Sequence, residues 1–328
     1  MRDQSKIEPK TLGRRIIEGD RLALARGLTR VENRTPEGRE LLDFLFHQTG
    51  SAVRIGLTGP PGSGKSTLVS WLARKFRERG HQVGILAIDP TSPFTGGAIL
   101  GDRIRMGDLA GDAGVFIRSM ATRGHQGGLS ATTYEASEVL EAAGFDRIII
   151  ETVGVGQSEL EIASAADTTL VILVPESGDA IQVMKAGVME IGDIFVVNKY
   201  DRQGGDHLLK EIHAILDLSP PDRHDFWKPM VLSTTASMGT GVDELMDAIQ
   251  AHTESREFDE TEREKIRRQK IRARMRLLLS GRLLDEAWSQ ILEVRLNEVL
   301  DRVVERSISP YAWIDGMVAE ISRRGWQE

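Results

Sequence analysis

The 328-residue chain contains no cysteine. That one absence removes disulfides, thiolate zinc sites, iron–sulfur clusters and cysteine nucleophiles together. It also fits a reducing compartment. No apolar run approaches the roughly 20 residues that span a bilayer. The opening MRDQSKIEPK lacks the apolar core of a signal peptide. A positive charge balance is missing too: the formal net charge is −7, so bulk electrostatics do not point to nucleic acid. No membrane partner is indicated, and a soluble, cytoplasmic protein is expected. What remains, 40% hydrophobic and 28% charged residues, is ordinary for a globular protein with a sizeable core. The length suggests about two domains.

Three textures divide the chain. Residues 1–50 read as a helical N-terminal extension. Leu22, Leu24, Ala25 and Leu28 recur near helical spacing, as do Leu41, Leu42, Phe44 and Leu45. Thr35 followed by Pro36 is an N-cap and first-turn pair. Residues 51–252 alternate strands and helices. Six apolar strands are expected, at 53–59, 83–89, 145–152, 168–176, 193–199 and 229–236. A helix is expected from Lys65 to about Arg79, closed by Gly80. Short apolar strands separated by helix-length segments predict an α/β fold, a doubly wound and mostly parallel sheet with helices on both faces. Residues 253–328 form a charged helical tail, punctuated by Gly281 and by Ser309-Pro310. Ile266, Ile271, Met275, Leu278 and Leu279 give it an apolar stripe. The stripe fits either a helix packed on its own domain or a dimerisation arm.

GPPGSGKST at 59–67 matches the phosphate-loop pattern GxxxxGK[ST], with a strand before it and a helix after. Glycines let the backbone wrap around phosphate oxygens, and successive N–H groups and the helix N-terminus then face the anion. Gly62, Ser63, Gly64, Lys65, Ser66 and Thr67 are the candidate phosphate contacts. Lys65 would reach the β- and γ-phosphates, and Ser66 would place its hydroxyl on Mg²⁺. This pattern does not choose the base. NKYD at 198–201 does. The carboxylate of Asp201 can accept from guanine N1–H and the exocyclic amine, whereas adenine N1 presents a lone pair that it would repel. A site built on such bonds leaves groups unpaired with the wrong base and so discriminates strongly. Lys199 would lie along the base and Asn198 would tie loops together. Ser233, Thr234 and Thr235, after the last strand, sit where a supporting base loop belongs.

Asp89 ends a strand next to the phosphate loop, a place suited to Mg²⁺ or its waters. Glu151 ends another and takes the acidic position on the metal side; Gly154 can offer its N–H to the γ-phosphate. Many small GTPases carry Gln directly after that glycine to orient the attacking water. Here the position is Val155, leaving Asp102, Gln157 or a partner's group for the task. Slow intrinsic hydrolysis, accelerated by a partner, is expected. His47, His81, His125, His207 and His213 show no metal-ligand spacing. Arg103 and Arg105 are read equally as phosphate or partner contacts and as solvated side chains.

GPPGSGKST, AIDPTSPFTGGAILGDRIRM, ETVGVGQSE, VPESGDAIQVMKAGVMEIGDIFVVNK and NKYD together resemble the MeaB/ArgK family, the methylmalonyl-CoA mutase-associated GTPases of the SIMIBI class. The resemblance covers essentially the whole chain. It implies a GTP-hydrolysing chaperone that gates adenosylcobalamin delivery to a mutase, protects or reactivates that enzyme, and dimerises through its C-terminal helices. It implies Mg²⁺ and GTP or GDP as bound groups, with no cobalamin site of the chain's own. The metal side would be Ser66, Asp89, Asp102 and Glu151. The catalytic set would be Lys65, Asp102, Glu151 and Lys185. Lys185 belongs with Asp179 and Gln182 to a segment, 175–187, that matches the family's coupling region. A related acyl-CoA mutase is the alternative client. A metal-delivery GTPase is disfavoured by the missing cysteines, a small-molecule kinase leaves NKYD unexplained, and a targeting GTPase would want a methionine-rich groove or a basic face.

Overall fold

The computed structural model describes residues 7–89, 109, 111–121, 128–152, 158–175, 188–218, 227–255, 260–287 and 290–324. Three helices come first: α1 (Pro9–Ile17), α2 (Arg21–Glu32) and α3 (Pro36–Leu45). Their starts are written in the sequence. The Asp20 carboxylate caps α2 by accepting from the N–H groups of Leu22 and Ala23 at 2.9 and 3.0 Å. Thr35 Oγ1 caps α3 by accepting from Gly38 N–H at 3.0 Å, with Pro36 in the first turn.

Seven strands follow among the described residues: β1 (Val53–Thr58), β2 (Val83–Asp89), β3 (Val115–Ala121), β4 (Arg147–Glu151), β5 (Thr168–Leu173), β6 (Ile194–Asn198) and β7 (Met230–Thr234). They form one parallel sheet in the order β3-β2-β4-β1-β5-β6-β7. The expected α/β, doubly wound sheet is present. The helices among these strands are α4 (Lys65–Glu78), α5 (Gly128–Ala142), α6 (Ser158–Ala165), α7 (Gly205–Leu218) and α8 (Val242–Ser255).

Pleating sends alternate strand residues to opposite faces. Ile148 and Ile150 join Leu86, Ile88, Phe116 and Met120 under α1–α3 and α5, where Leu12, Ile16, Leu28, Leu41 and Leu45 pack with Val139 and Leu140. Ile149 joins Ile55, Leu57, Ile85 and Ile172 on the other face, under Leu68 and Leu72 of α4 and Leu245 and Ile249 of α8. Phe195 and Val197 meet Leu208 and Ile212 of α7 in a third cluster. At roughly 1.5–3 kcal/mol for each fully buried aliphatic side chain, these faces dominate the stability of the unit.

One strand was not expected. β3 reads VFIRSMA, with Arg118 and Ser119 at its centre, so it lacks the apolar run of the inner strands. It lies at the sheet's edge, where only one neighbour, β2, pairs with it. The Arg118 guanidinium turns to Glu32 of α2 at 2.6 Å.

A buried ion pair fixes the entry to the sheet. Arg54 of β1 meets Glu141 of α5 at 2.7 Å, and both side chains are almost wholly enclosed. The same carboxylate accepts from the N–H groups of Gly50, Ser51 and Ala52 at 2.7, 2.5 and 2.7 Å. Burial opposes ionisation of Glu141. The Ala52 N–H, the Arg54 charge and the Ser51 and Gly50 N–H groups outweigh it and hold the carboxyl below its ordinary range.

The chain divides into two compact units, 1–270 and 271–328. Helix α9 (Glu260–Ala287) contains the division. It continues through Gly281, where the sequence suggested a break: an interior glycine costs only about 1 kcal/mol relative to alanine, which neighbouring good helix formers absorb. In the second unit, α10 (Gln290–Val304) and α11 (Pro310–Arg324) follow. Ser309-Pro310 does punctuate the chain: Ser309 Oγ accepts from Tyr311 N–H at 3.2 Å at the start of α11. Arg295 of α10 reaches Met317 of α11, and Val299 is buried.

Candidate nucleotide site

β1 is the point where the chain changes direction. It leaves β1 for β2 on one side, and later leaves β4 for β5 on the other. Connections that diverge in this way open a crevice at the carboxyl ends of the strands, the usual ligand position in such sheets. The residues at those ends are Thr58, Asp89, Glu151, Leu173, Asn198 and Thr234.

The turn from β1 into α4 holds GPPGSGKST. Gly62 and Thr67 are exposed, and Ser63 is fully buried. Gly64 sits at the N-cap of α4 with φ +91°. A side chain there would be strained, and a Cβ would stand 2.3 Å from Asn198 Nδ2. Lys65 opens the helix, is buried, and folds back so that Nζ donates to the carbonyls of Gly59 and Pro60 at 2.8 and 3.0 Å. The ammonium is thereby held inside the loop it would serve. Ser66 Oγ donates to Glu151 Oε1 at 2.6 Å. Glu151 is 4% exposed, and its strand is in register with Leu57 of β1 and Ala87 of β2. A hydroxyl and a carboxylate side by side are hard oxygen donors, the set that a cation such as Mg²⁺ takes, and the residues fit that ion. Asp89 ends β2 two residues beyond the partner of Glu151, at the same edge.

NKYD follows β6. Asn198 is 1% exposed and bridges three segments. Its Nδ2 donates to Ser63 O at 2.7 Å, and its Oδ1 accepts from Thr234 Oγ1 and from Ala236 N–H, both at 3.0 Å. The partners fix the amide's orientation, because the Ser63 carbonyl can only accept and the Ala236 N–H can only donate. Lys199 adopts φ +56°, an uncommon conformation for a residue with a side chain. The turn is closed by Arg202 N–H to Lys199 O at 3.0 Å and tied to the next strand by Tyr200 N–H to Thr234 O at 3.1 Å. Asp201 projects at the surface of this turn, exposed. Ser233 is half-buried, and Thr234 and Thr235 are buried. Thr235 bridges to Thr240 to close the loop after β7.

The structure therefore brings together Gly62, Ser63, Gly64, Lys65, Ser66, Glu151, Asn198, Lys199, Ser233, Thr234 and Thr235, with Asp201 and the backbone of Asp89 at the same edge. Asp102, Gly154 and Lys185, together with Arg103, Arg105, Val155, Gln157, Asp179 and Gln182, lie outside the described residues, as does the Asp89 side chain. Sequence reading missed Trp71 of α4, whose indole N–H donates to Ala236 O at 2.7 Å. No motif marks it. It also passed over a buried Thr168–His252–Asp193 row, with His252 Nδ1 2.8 Å from Thr168 Oγ1 and Nε2 3.4 Å from Asp193 Oδ1. These residues lie at the opposite edge of the sheet and His252 is 2% exposed, so the row braces β5, β6 and α8 rather than facing a substrate.

A strand, a glycine loop and a helix at the switch point, locked through one asparagine to a base-loop turn, define a P-loop nucleotide-binding protein of the GTPase kind. A family model described as "Methylmalonyl Co-A mutase-associated GTPase MeaB" matches residues 24–291, and the chain belongs to that family. A putative GTPase of Pyrococcus abyssi is 46% identical over 308 residues, which cover 94% of this chain and 95% of that protein. GTPase ArgK of Escherichia coli is 39% identical over 246 residues, covering 72% and 73% respectively. A solved structure described as an LAO/AO transport system kinase matches with a TM-score of 0.72 at 27% identity, over 98% of this chain and 99% of that one. Among the described residues, no helix is long and apolar enough to cross a membrane.

Proposed function

We propose that this GTPase is a cytoplasmic metallochaperone that gates adenosylcobalamin delivery to methylmalonyl-CoA mutase, or to a related acyl-CoA mutase, and protects or reactivates that enzyme. The family description, a mutase-associated GTPase, supports the client. The observation that carries the nucleotide reading is the Asn198 bridge, which joins the phosphate loop at Ser63 to the base loop at Thr234 and Ala236.

In this reading Lys65 exchanges the Gly59 and Pro60 carbonyls for β- and γ-phosphate oxygens. The N–H groups of Gly62 to Thr67, and that of Gly154, cradle the phosphates. Ser66, Asp89, Asp102 and Glu151 hold Mg²⁺ or its waters. Mg²⁺, when bound, neutralises charge that develops on the phosphates. Lys199 flanks the base and Asp201 reads its donor edge, with Ser233, Thr234 and Thr235 supporting. Hydrolysis adds water across the bond between the β- and γ-phosphates. Val155 offers nothing to orient that water, so turnover is slow until a partner completes the site. Asp102 and Lys185 are the residues of this chain assigned to that step. Residues 253–328 form the interface of a homodimer, a reading supported by the exposed stripe Ile271, Met275 and Leu279 at one-turn spacing.

The test is nucleotide-dependent complex formation. Purified mutase is expected to co-elute with the protein in a manner that differs between GDP and a non-hydrolysable GTP analogue, and to raise the GTPase rate. Equal co-elution in every nucleotide state, or a fast GTPase indifferent to the mutase, refutes gating.

A further inference from the structure

Trp71 lies on α4, six positions after Lys65, and takes no part in the phosphate or base contacts above. Its geometry nevertheless closes a circuit. The indole Nε1–H donates to Ala236 O at 2.7 Å. Ala236 N–H donates to Asn198 Oδ1 at 3.0 Å. Asn198 Nδ2 donates to Ser63 O at 2.7 Å, two residues before α4 begins. The circuit thus runs from α4 through the base loop and the NKYD asparagine back to the phosphate loop. The indole ring also packs on the tip of the base loop. Gly239 lies against it with φ +74°, and a Cβ there would stand 2.7 Å from Cζ2 and 2.9 Å from Cη2. On the helix side the Arg74 guanidinium lies 5.6 Å from the ring centre.

We propose that Trp71 is a positioning residue for guanine recognition, which holds the Ser233–Thr240 loop against α4 so that base affinity and base selectivity depend on it. The proposal rests on the reading of the Asn198–Asp201 turn as guanine-specific. The physical argument is that, beyond the bonds of Thr234 to Asn198 and Tyr200, the backbone groups of Ala236 have two anchors on the body of the protein. Asn198 holds the N–H of the Ala236 residue, and Trp71 holds its carbonyl. An indole N–H can only donate, so the Ala236 carbonyl has a partner of fixed direction. With both groups held, the preceding Thr234 and Thr235 peptides keep one position when nucleotide arrives, and less ordering is left to be done on binding. Removing the indole N–H while keeping an aromatic ring frees one anchor; the Gly239 contact, made by the outer ring atoms Cζ2 and Cη2, is loosened with it because a phenyl ring is shorter. The phosphate loop keeps its own contacts through Lys65 and Gly64. The loss therefore falls on the base and not on the phosphates. The same contact makes Trp71, among the described residues, the tryptophan on the base loop, so its emission reports the ordering of that loop. Trp227, by contrast, packs against His252 with ring centres 4.8 Å apart, at the other edge of the sheet.

The deciding experiment compares the full-length protein with Trp71→Phe, measuring GDP, GTP and ATP affinity, steady-state GTPase kinetics, thermal melting and tryptophan emission. Wild type is expected to prefer GTP to ATP; no such preference refutes the guanine reading itself and is read before any variant. Trp71→Phe is expected to melt close to wild type, to bind GDP and GTP about 5-fold more weakly, the ratio that one net hydrogen bond is worth, and to bind ATP as before. Its loss appears in KM rather than in kcat, and the change in emission on GDP binding disappears. Trp71→Leu, which also removes the ring, is expected to lose more selectivity. An unchanged GTP-to-ATP ratio, a fall in kcat at unchanged KM, or a full emission response in Trp71→Phe overturns the proposal. So does a Trp71→Phe protein that fails to fold, since the role is then structural, and so does wild-type emission that ignores GDP.

Discussion

Replacing Asn198 with alanine would remove a side chain that touches the phosphate loop, β7 and the base loop at once. It is 1% exposed, so water does not stand ready to replace it. Three hydrogen bonds disappear: to Ser63 O at 2.7 Å, and from Thr234 Oγ1 and Ala236 N–H at 3.0 Å. The Thr234 hydroxyl can rotate to another acceptor. The Ser63 carbonyl and the Ala236 N–H cannot, and each stranded buried group costs about 1–3 kcal/mol. The expected destabilisation is therefore about 2–6 kcal/mol, a large share of a typical total of about 5–15. Denaturant titration of nucleotide-free protein, followed by far-ultraviolet circular dichroism, measures it. Asn198→Asp sharpens the test. It keeps an acceptor for Ala236 and Thr234 but sets a buried carboxylate oxygen against the Ser63 carbonyl, so it should be no more stable than the alanine variant. An aspartate variant as stable as wild type would falsify the bridge. Guanine nucleotide affinity is expected to fall in both.

Other perturbations test separate parts of the structure. Gly64→Ala meets left-handed backbone, worth about 1–2 kcal/mol against a β-carbon, and presses on the Asn198 amide; nucleotide affinity should drop at least roughly 10-fold while the protein stays folded, and an unaltered affinity by calorimetry counts against the loop geometry. Asp201→Asn exchanges a pure acceptor for an amide, so GTP should bind about 10- to 100-fold more weakly and xanthosine triphosphate, which carries a carbonyl where guanine has its amine, should gain; equal losses for both would contradict base reading by this residue. Glu141→Gln removes the carboxylate bonded to buried Arg54, which keeps Asp167 as a charged neighbour, and should cost about 1.5–3 kcal/mol at neutral pH, the worth of a hydrogen bond to a charged group. Because the folded-state carboxyl lies below the ordinary value of 4.5, its contribution is full above that pH and is lost as pH falls through the folded value. The stability gap between wild type and variant should therefore narrow on acidification below about pH 4.5, and parallel curves would contradict the assignment.

Much of the molecule was legible because local chemistry and the fold agree. Glycines around Lys65, an apolar strand before and a helix after have one common structural solution, and Thr35-Pro36 and Ser309-Pro310 mark helix starts by hydrogen bonding alone. β3 was not legible, since an edge strand needs no continuous apolar run and Arg118 interrupts it to meet Glu32. Gly281 misled because one glycine is a weak stop without a capping pattern beyond it. Trp71 was invisible for a different reason. Its partner Ala236 is 165 positions away, and nothing in a helix sequence says which distant carbonyl an indole will meet.

The packing of the N-terminal helices bears on how far the nucleotide-binding part can be treated as a detachable module. The sheet face under α1–α3 is closed by Leu12, Ile16, Leu28, Leu41 and Leu45, and the backbone of Gly50 to Ala52 supplies the donors that keep Glu141 charged inside the protein. A version trimmed to begin at the first strand would keep every phosphate-loop residue, yet expose an apolar wall and strip a buried carboxylate of most of its backbone donors. A cut at the boundary that sequence motifs suggest is therefore expected to destabilise the protein, and transplanting the nucleotide-binding part into another protein would have to carry α1–α3 with it.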